Sequence, residues 1–146
     1  MRVILQRVSR ASVEVEDHAK ARIGRGLVLL AGIGRDDSPA DVDFVAAKCI
    51  NLRVFEDDQG KMNRSVLDVA GEILAVSQFT LYGDTQKGRR PSFTDAAEPA
   101  KAQAYYERFV ERLRQSGLNV QTGAFGARML VEIHNDGPVT LIVESR

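Results

Sequence analysis

The chain has a single cysteine, no tryptophan, only two histidines and no surplus of either charge, with twenty basic residues against twenty acidic ones in 146. One cysteine excludes an internal disulfide, and Cys49, inside a helix-like pattern, reads as a packing residue suited to a reducing compartment. Balanced charge excludes a global field that would draw the chain to nucleic acid or to a membrane surface, so any polyanion must be held by a local patch. No apolar run approaches the roughly 20 residues of a membrane span, and Arg2 and Arg7 bring charge too early for a signal peptide. A cytoplasmic, non-membrane protein is expected. His-Glu-x-x-His, paired Cys-x-x-Cys and Gly-x-x-x-x-Gly-Lys-Ser/Thr are all missing, which removes the usual support for zinc hydrolases, zinc ribbons and P-loop enzymes. No cofactor and no metal is implied. Asp57-Asp58 belongs to a polar turn and reads as solvated.

What is present describes one domain over residues 1–146. At 44% hydrophobic and 27% charged, such a chain buries about 68–70% of its unfolded surface. Val3 to Val8 and Ala11 to Glu16, with Val13 and Val15 alternating against polar neighbours, read as two strands paired with each other. Ala19 to Ile23 follows a turn at Asp17-His18, and Leu27 to Ile33 is continuously apolar, as in a strand covered on both faces. Ser38-Pro39 supplies an N-cap and a first-turn proline for a helix that buries Val42, Val45, Ala46, Cys49 and Leu52. Leu52 to Phe55 and Glu72 to Phe79 are strand candidates, and the pattern dissolves from Gly83 to Ala97. A second helix runs from about Pro99 to Ser116, with Ala102, Tyr106, Phe109, Val110 and Leu113 on one side and Gly117 as its stop. Arg128 to His134 and Val139 to Glu144 read as a closing hairpin. The fold class is α+β, mainly antiparallel sheet with two covering helices.

Two short segments carry the chemistry. Ser77-Gln78-Phe79-Thr80-Leu81 ends an apolar run, and Asn135-Asp136-Gly137-Pro138-Val139-Thr140 joins two strand-like runs. Both place small polar groups where a sheet ladder stops consuming backbone N–H and C=O groups, so a ligand could be met largely by main chain. A conventional hydrolase needs a base beside its nucleophile. His18 reads as a surface turn residue and His134 as an ordinary strand-end histidine.

These two segments resemble the two signatures of the D-aminoacyl-tRNA deacylases. Gln6-Arg7-Val8, Ala11-Ser12-Val13, Gly60-Lys61-Met62-Asn63 and Arg90-Pro91-Ser92-Phe93 extend the likeness over essentially the whole chain, in the family's order. The resemblance implies a barrel-like domain that hydrolyses the ester between a D-amino acid and the terminal adenosine of tRNA. It also implies a homodimer with sites at the subunit interface, where a cis Gly137-Pro138 peptide enters the partner's pocket. Rigid backbone placed where an L side chain would project rejects L substrates without a pocket for any one D side chain. Glycine has no side chain to reject, so glycyl-tRNA is an expected second substrate.

By the same resemblance, Ser77, Gln78, Phe79 and Thr80 line the catalytic subsite. Main-chain N–H groups near Phe79 and Thr80 would stabilise an oxyanion, and the adenosine 2′-hydroxyl would take part. Thr80 as a covalent nucleophile is the rival mechanism. Gly137, Pro138, Asn135 and Thr140 would meet the substrate, with Arg7 bracing the Gly-Pro segment. Phe125 and Met129 are candidate walls of the amino-acid pocket. Lys87, Arg89 and Arg90 form a compact basic patch for acceptor-stem phosphates. The competing class is a nucleic-acid binding module, since relatives with this fold are linked to DNA unwinding elements. Neutral charge argues mildly against it.

Overall fold

A computed structural model describes residues 1–16 and 18–145. Asp17, half of the expected Asp17-His18 turn, lies outside them. Eight strands and two α-helices follow one another as β1 (Arg2–Val15), β2 (Ala19–Ile23), β3 (Gly26–Gly32), α1 (Pro39–Asn51), β4 (Phe55–Glu56), β5 (Met62–Arg64) and β6 (Glu72–Ser77). A 3-10 turn (Phe79–Tyr82), α2 (Pro99–Arg114), β7 (Val120–Thr122) and β8 (Met129–Glu144) complete the order. The main sheet runs β2-β1-β3-β6-β7, with β8 on the other edge of β1, while β4 and β5 form a separate ribbon. It is an α+β domain with a barrel-like, nearly closed sheet.

Two sequence expectations are corrected here for one reason. Val3–Val8 and Ala11–Glu16 do not pair with each other; they are the two halves of β1. No glycine or proline separates them, so the chain stays extended through Ser9 and Arg10 and turns only after Val15, where Glu16 takes a positive φ of 49°. Its return strand keeps one register from Val15 opposite Ala19, through Val8 opposite Gly26, to Arg2 opposite Gly32. The expected closing hairpin is likewise a single strand, β8, antiparallel to the whole of β1. Asn-Asp-Gly-Pro carries turn chemistry, yet each flank already has a partner in β1, so the segment is extruded as a bulge. Val8 faces Asn135 and Gln6 faces Thr140, leaving Arg7 alone opposite residues 136–139.

The sheet is antiparallel around β1 and parallel across β3, β6 and β7. α1 lies on the crossover from β3 to β6 and α2 on that from β6 to β7, as parallel pairs require. The continuous apolar run of β3 follows from this placement. Leu27 and Leu29 point into the core beneath the helices and Val28 into a second cluster with Val8, Val13, Leu74 and Val76, all without solvent exposure or nearly so. The strand expected at Leu52–Phe55 is reduced to Phe55–Glu56, and β6 stops at Ser77 instead of Phe79.

Helix α1 begins with a complete capping box, Ser38 and Asp41 each bonding the other's backbone, and with Pro39 in the first turn. α2 buries Ala102, Tyr106, Phe109, Val110 and Leu113, and Gly117 follows it with φ +82°. Asp43 of α1 accepts four hydrogen bonds from Arg108 and Arg112 of α2, at 2.7 to 3.1 Å, locking the helices side by side. No helix among the described residues is long and apolar enough to cross a membrane.

Candidate active site

Parallel strands end together, and a strand's end frees backbone groups that its ladder no longer uses. The carboxyl ends of β6 and β7 open here on one cleft of about 550 Å³. Ser77, Gln78, Phe79 and Thr80 come from the end of β6, and Phe125 from the loop after β7. Met129 comes from the start of β8, so six of the expected residues meet in one place. The first turn of α2, through Pro99 and Ala102, forms a further wall.

The chain turns at Gln78, whose N–H donates to Ala31 O at 2.7 Å and whose φ/ψ of −144°/73° breaks the strand. A 3-10 turn then starts at Phe79. The first N–H groups of such a turn have no partner within it. Among the described residues the amides of Phe79 and Thr80 donate to no protein acceptor. The Gln78 side-chain amide donates to Thr80 Oγ1. Phe79 is 54% exposed and meets Phe93 edge-on, with ring centroids 5.2 Å apart. Neither histidine lines the cleft; His134 pairs instead with Glu132, at 2.7 Å. No group of acidic, histidine or cysteine side chains among the described residues could hold a metal ion.

Sequence reasoning missed Phe93, Ala96, Ala97, Gly126, Ala127 and Val131 as lining residues. Phe93 lay in a segment that carried the family likeness, which was its only signal. The alanines have no chemistry to betray them; their small size is what leaves the space.

The β8 bulge is the second half of the expected site, and it does not line this cleft. Its Gly137-Pro138 peptide is cis, with Gly137 at φ +124°. Asn135 closes the loop from inside: its Oδ1 accepts Val139 N–H at 3.2 Å and its amide donates to Thr140 Oγ1 at 2.8 Å. Arg7, only 8% exposed, donates through Nε to Asp136 O at 3.1 Å and through Nη1 to Val54 O at 2.7 Å. A β1 side chain thus fastens the bulge to the segment that follows α1. Gly137 and Pro138 themselves stand exposed.

Over residues 4–144 the sequence matches the family model described as D-Tyr-tRNA(Tyr) deacylase. The chain belongs to that deacylase family. A relative from Heliobacterium modesticaldum named D-aminoacyl-tRNA deacylase is 60% identical over all of this chain and 97% of its own length. Another of that name, from Thermotoga petrophila, is 55% identical over 99% of this chain and 97% of its own. Among solved structures, the c-Myc DNA unwinding element binding protein superposes with a TM-score of 0.93. It is 44% identical and covers 100% of this deacylase and 99% of the other chain.

In the deacylase, Lys87, Arg89 and Arg90 occupy an exposed loop closed by an Asp84–Ser92 bridge, outside the cleft lining. None of the three has an ion-pair partner among the described residues. The expected basic patch is therefore a set of cations on a short turn in which Gly88 takes φ +68°.

Proposed function

We propose that this chain hydrolyses the ester of D-aminoacyl-tRNA in the cleft at the ends of β6 and β7. Family membership supports the reaction class. The observation that carries the site is the pair of unpartnered amides at Phe79 and Thr80, on the wall of a mostly apolar cleft. Donors that are fixed before the reaction stabilise the charge growing on an ester oxygen without having to reorganise. Gln78 holds the Thr80 hydroxyl as an acceptor, and no histidine stands near to take its proton. That disfavours Thr80 as a nucleophile, and the family resemblance offers the substrate's own 2′-hydroxyl as the participant instead.

In this reading the active unit is a homodimer, and each protomer lends its bulge to the other's cleft. The separation of the two halves within one chain supports it: the cleft lacks the Gly-Pro segment, and Gly137 and Pro138 stand exposed to solvent. Ile142, 66% exposed at the free edge of β8, and Leu141 offer apolar surface beside it. Backbone of Gly137-Pro138 and small polar side chains of Asn135 and Thr140 would then wall the amino-acid position and exclude an L side chain. Glycyl-tRNA would pass the same filter. Lys87, Arg89 and Arg90 would meet phosphates of the acceptor stem.

The test is release of labelled amino acid from matched D-tyrosyl-, L-tyrosyl- and glycyl-tRNA with chelator present. Rapid release from the D and glycyl esters with the L ester spared is expected. Equal release from D and L esters would overturn the exclusion by backbone. No release from any, with tight retention of duplex DNA, would favour the binding reading suggested by the structural neighbour's name.

A further inference from the structure

The 3-10 turn Phe79–Tyr82 has two sides. Its first half lines the cleft, while Tyr82 borders a separate polar hollow with Arg2 and Gly34. The turn rests directly on the backbone at the end of β3. A Cβ at Gly34 would lie 2.9 Å from the Tyr82 ring, and one at Gly32 would lie 3.0 Å from Gln78 O. A side chain at Gly34 would displace the Tyr82 ring, and one at Gly32 would press the Gln78 carbonyl by a few tenths of an ångström. From the side the turn is met by the Phe93 ring at Phe79 and by Arg2 at Leu81 and Tyr82.

Arg2 opens β1, opposite Glu144 at the end of β8. Its Nη1 donates to Leu81 O at 2.9 Å, its guanidinium lies over the Tyr82 ring at 5.0 Å from the centroid, and its Nε bonds Glu144 Oε1 at 2.5 Å. One planar group thus reaches a carbonyl of the turn, an aromatic face of the turn and a carboxylate on the strand that carries the bulge. Only a guanidinium has donors in that fork together with a flat face for the ring. Inside the turn, Leu81 N–H donates to Gln78 O and Gly83 N–H to Thr80 O, at 3.2 and 2.9 Å, so its backbone is tied from Gln78 to Gly83. Holding Leu81 therefore holds Phe79 and Thr80. Arg2 itself does not line the cleft.

We infer that Arg2 is a positioning residue for hydrolysis, clamping the Leu81 carbonyl and the Tyr82 ring so that the Phe79 and Thr80 amides keep their aim. This rests on the proposed role of that turn in stabilising charge. Amides so aimed act on the transition state more than on bound substrate, and a displacement of about 1 Å can cost about a hundredfold in rate. A loosened turn should consequently show in kcat and not in KM.

The experiment compares Arg2→Met, Arg2→Lys and Gln78→Ala with the parent chain, using D-tyrosyl-tRNA saturation curves and thermal unfolding. Arg2→Met is expected to lower kcat about tenfold with KM held within about twofold and the unfolding midpoint little changed. Arg2→Lys, which returns a cation and one donor, should recover part of the loss. Full kcat in Arg2→Met alongside an impaired Gln78→Ala would overturn the clamp and leave the site reading standing. Full kcat in both would overturn the clamp alone, whereas no hydrolysis by the parent chain would overturn the site reading, and the clamp with it. A joint fall in kcat and unfolding midpoint that lysine does not relieve would mark Arg2 as structural only, which also overturns the inference.

Discussion

The sheet face beneath α1 and α2 and the sheet end that holds the cleft are built from opposite materials. Under the helices the work falls to side chains: Val3, Leu5, Leu27, Leu29, Ile73, Phe109 and Leu113 are wholly buried, and a carboxylate between two arginines ties the helices together. At the cleft and the bulge it falls to main chain. The proposed site would rely there on the Phe79 and Thr80 amides, the Asp136 carbonyl held by Arg7 and the Gly137-Pro138 peptide, and Phe79 and Gly137 stand exposed. The first region can lose a methylene and lose stability in proportion. The second can keep its composition and fail through a small change of backbone path. Stability and activity should therefore break separately.

The largest effect is expected beneath the helices. Phe109→Ala removes a side chain with no exposure and should cost about 3–5 kcal/mol in urea unfolding. The folded fraction should hydrolyse D-tyrosyl-tRNA within about twofold of the parent rate. A large fall in the rate per folded molecule would erase the distinction between the two regions.

Gly137→Ala is the reciprocal change. Gly137 sits at φ +124°, and an added Cβ would lie 2.8 Å from Arg7 Nη2 and 3.0 Å from Val139 Cγ2, so either the bulge or the guanidinium must move. Hydrolysis of the D ester should fall about a hundredfold, equivalent to about 2.7 kcal/mol. Stability should fall by about 1–3 kcal/mol. An alanine variant with full activity and unaltered discrimination against the L ester would show that the path of this segment is unimportant.

Arg7 is where the two regions meet, since one guanidinium holds Val54 O after α1 and Asp136 O in the bulge. Arg7→Lys keeps the charge and can satisfy one carbonyl at a time. It should move both readouts by about 1–2 kcal/mol each. If only stability changes, the bulge holds itself through Asn135, and the link between the regions is lost.

This division also explains what could be read from sequence. Helices α1 and α2 and the buried strand β3 announce themselves because packing against a core imposes a period, and Ser38, Pro39 and Gly117 mark helix ends by their own chemistry. Ser77–Thr80 were recognisable as a strand end for the same reason. The continuity of β1 and β8 was not legible. Asn-Asp-Gly-Pro is locally a turn, and only the long register with β1 turns it into a bulge. The lining by Ala96, Ala97 and Ala127 was silent, because a space made by small residues leaves no pattern.

The smallest predicted effect lies in the side-chain region, yet it can be tuned without touching packing. Arg108 first and Arg112 second hold the Asp43 carboxyl down from 3.8 to about 2 by hydrogen bonding. A carboxyl with a lowered value in the folded chain contributes stability that is complete above its unfolded value near pH 4 and lost as pH falls through 4 toward 2. The cluster is more than one-third exposed, so solvent screening keeps this contribution below about 1 kcal/mol. Asp43→Asn should therefore unfold at slightly lower urea than the parent at pH 7, and the gap should close near pH 2. Deacylation should not change, because the helix clamp lies outside the cleft. A gap that persists at pH 2 would assign the loss to helix packing instead of charge. A fall in deacylation would mean that the helical layer sets the path of the main chain at the cleft, and the two regions would have to be treated as one.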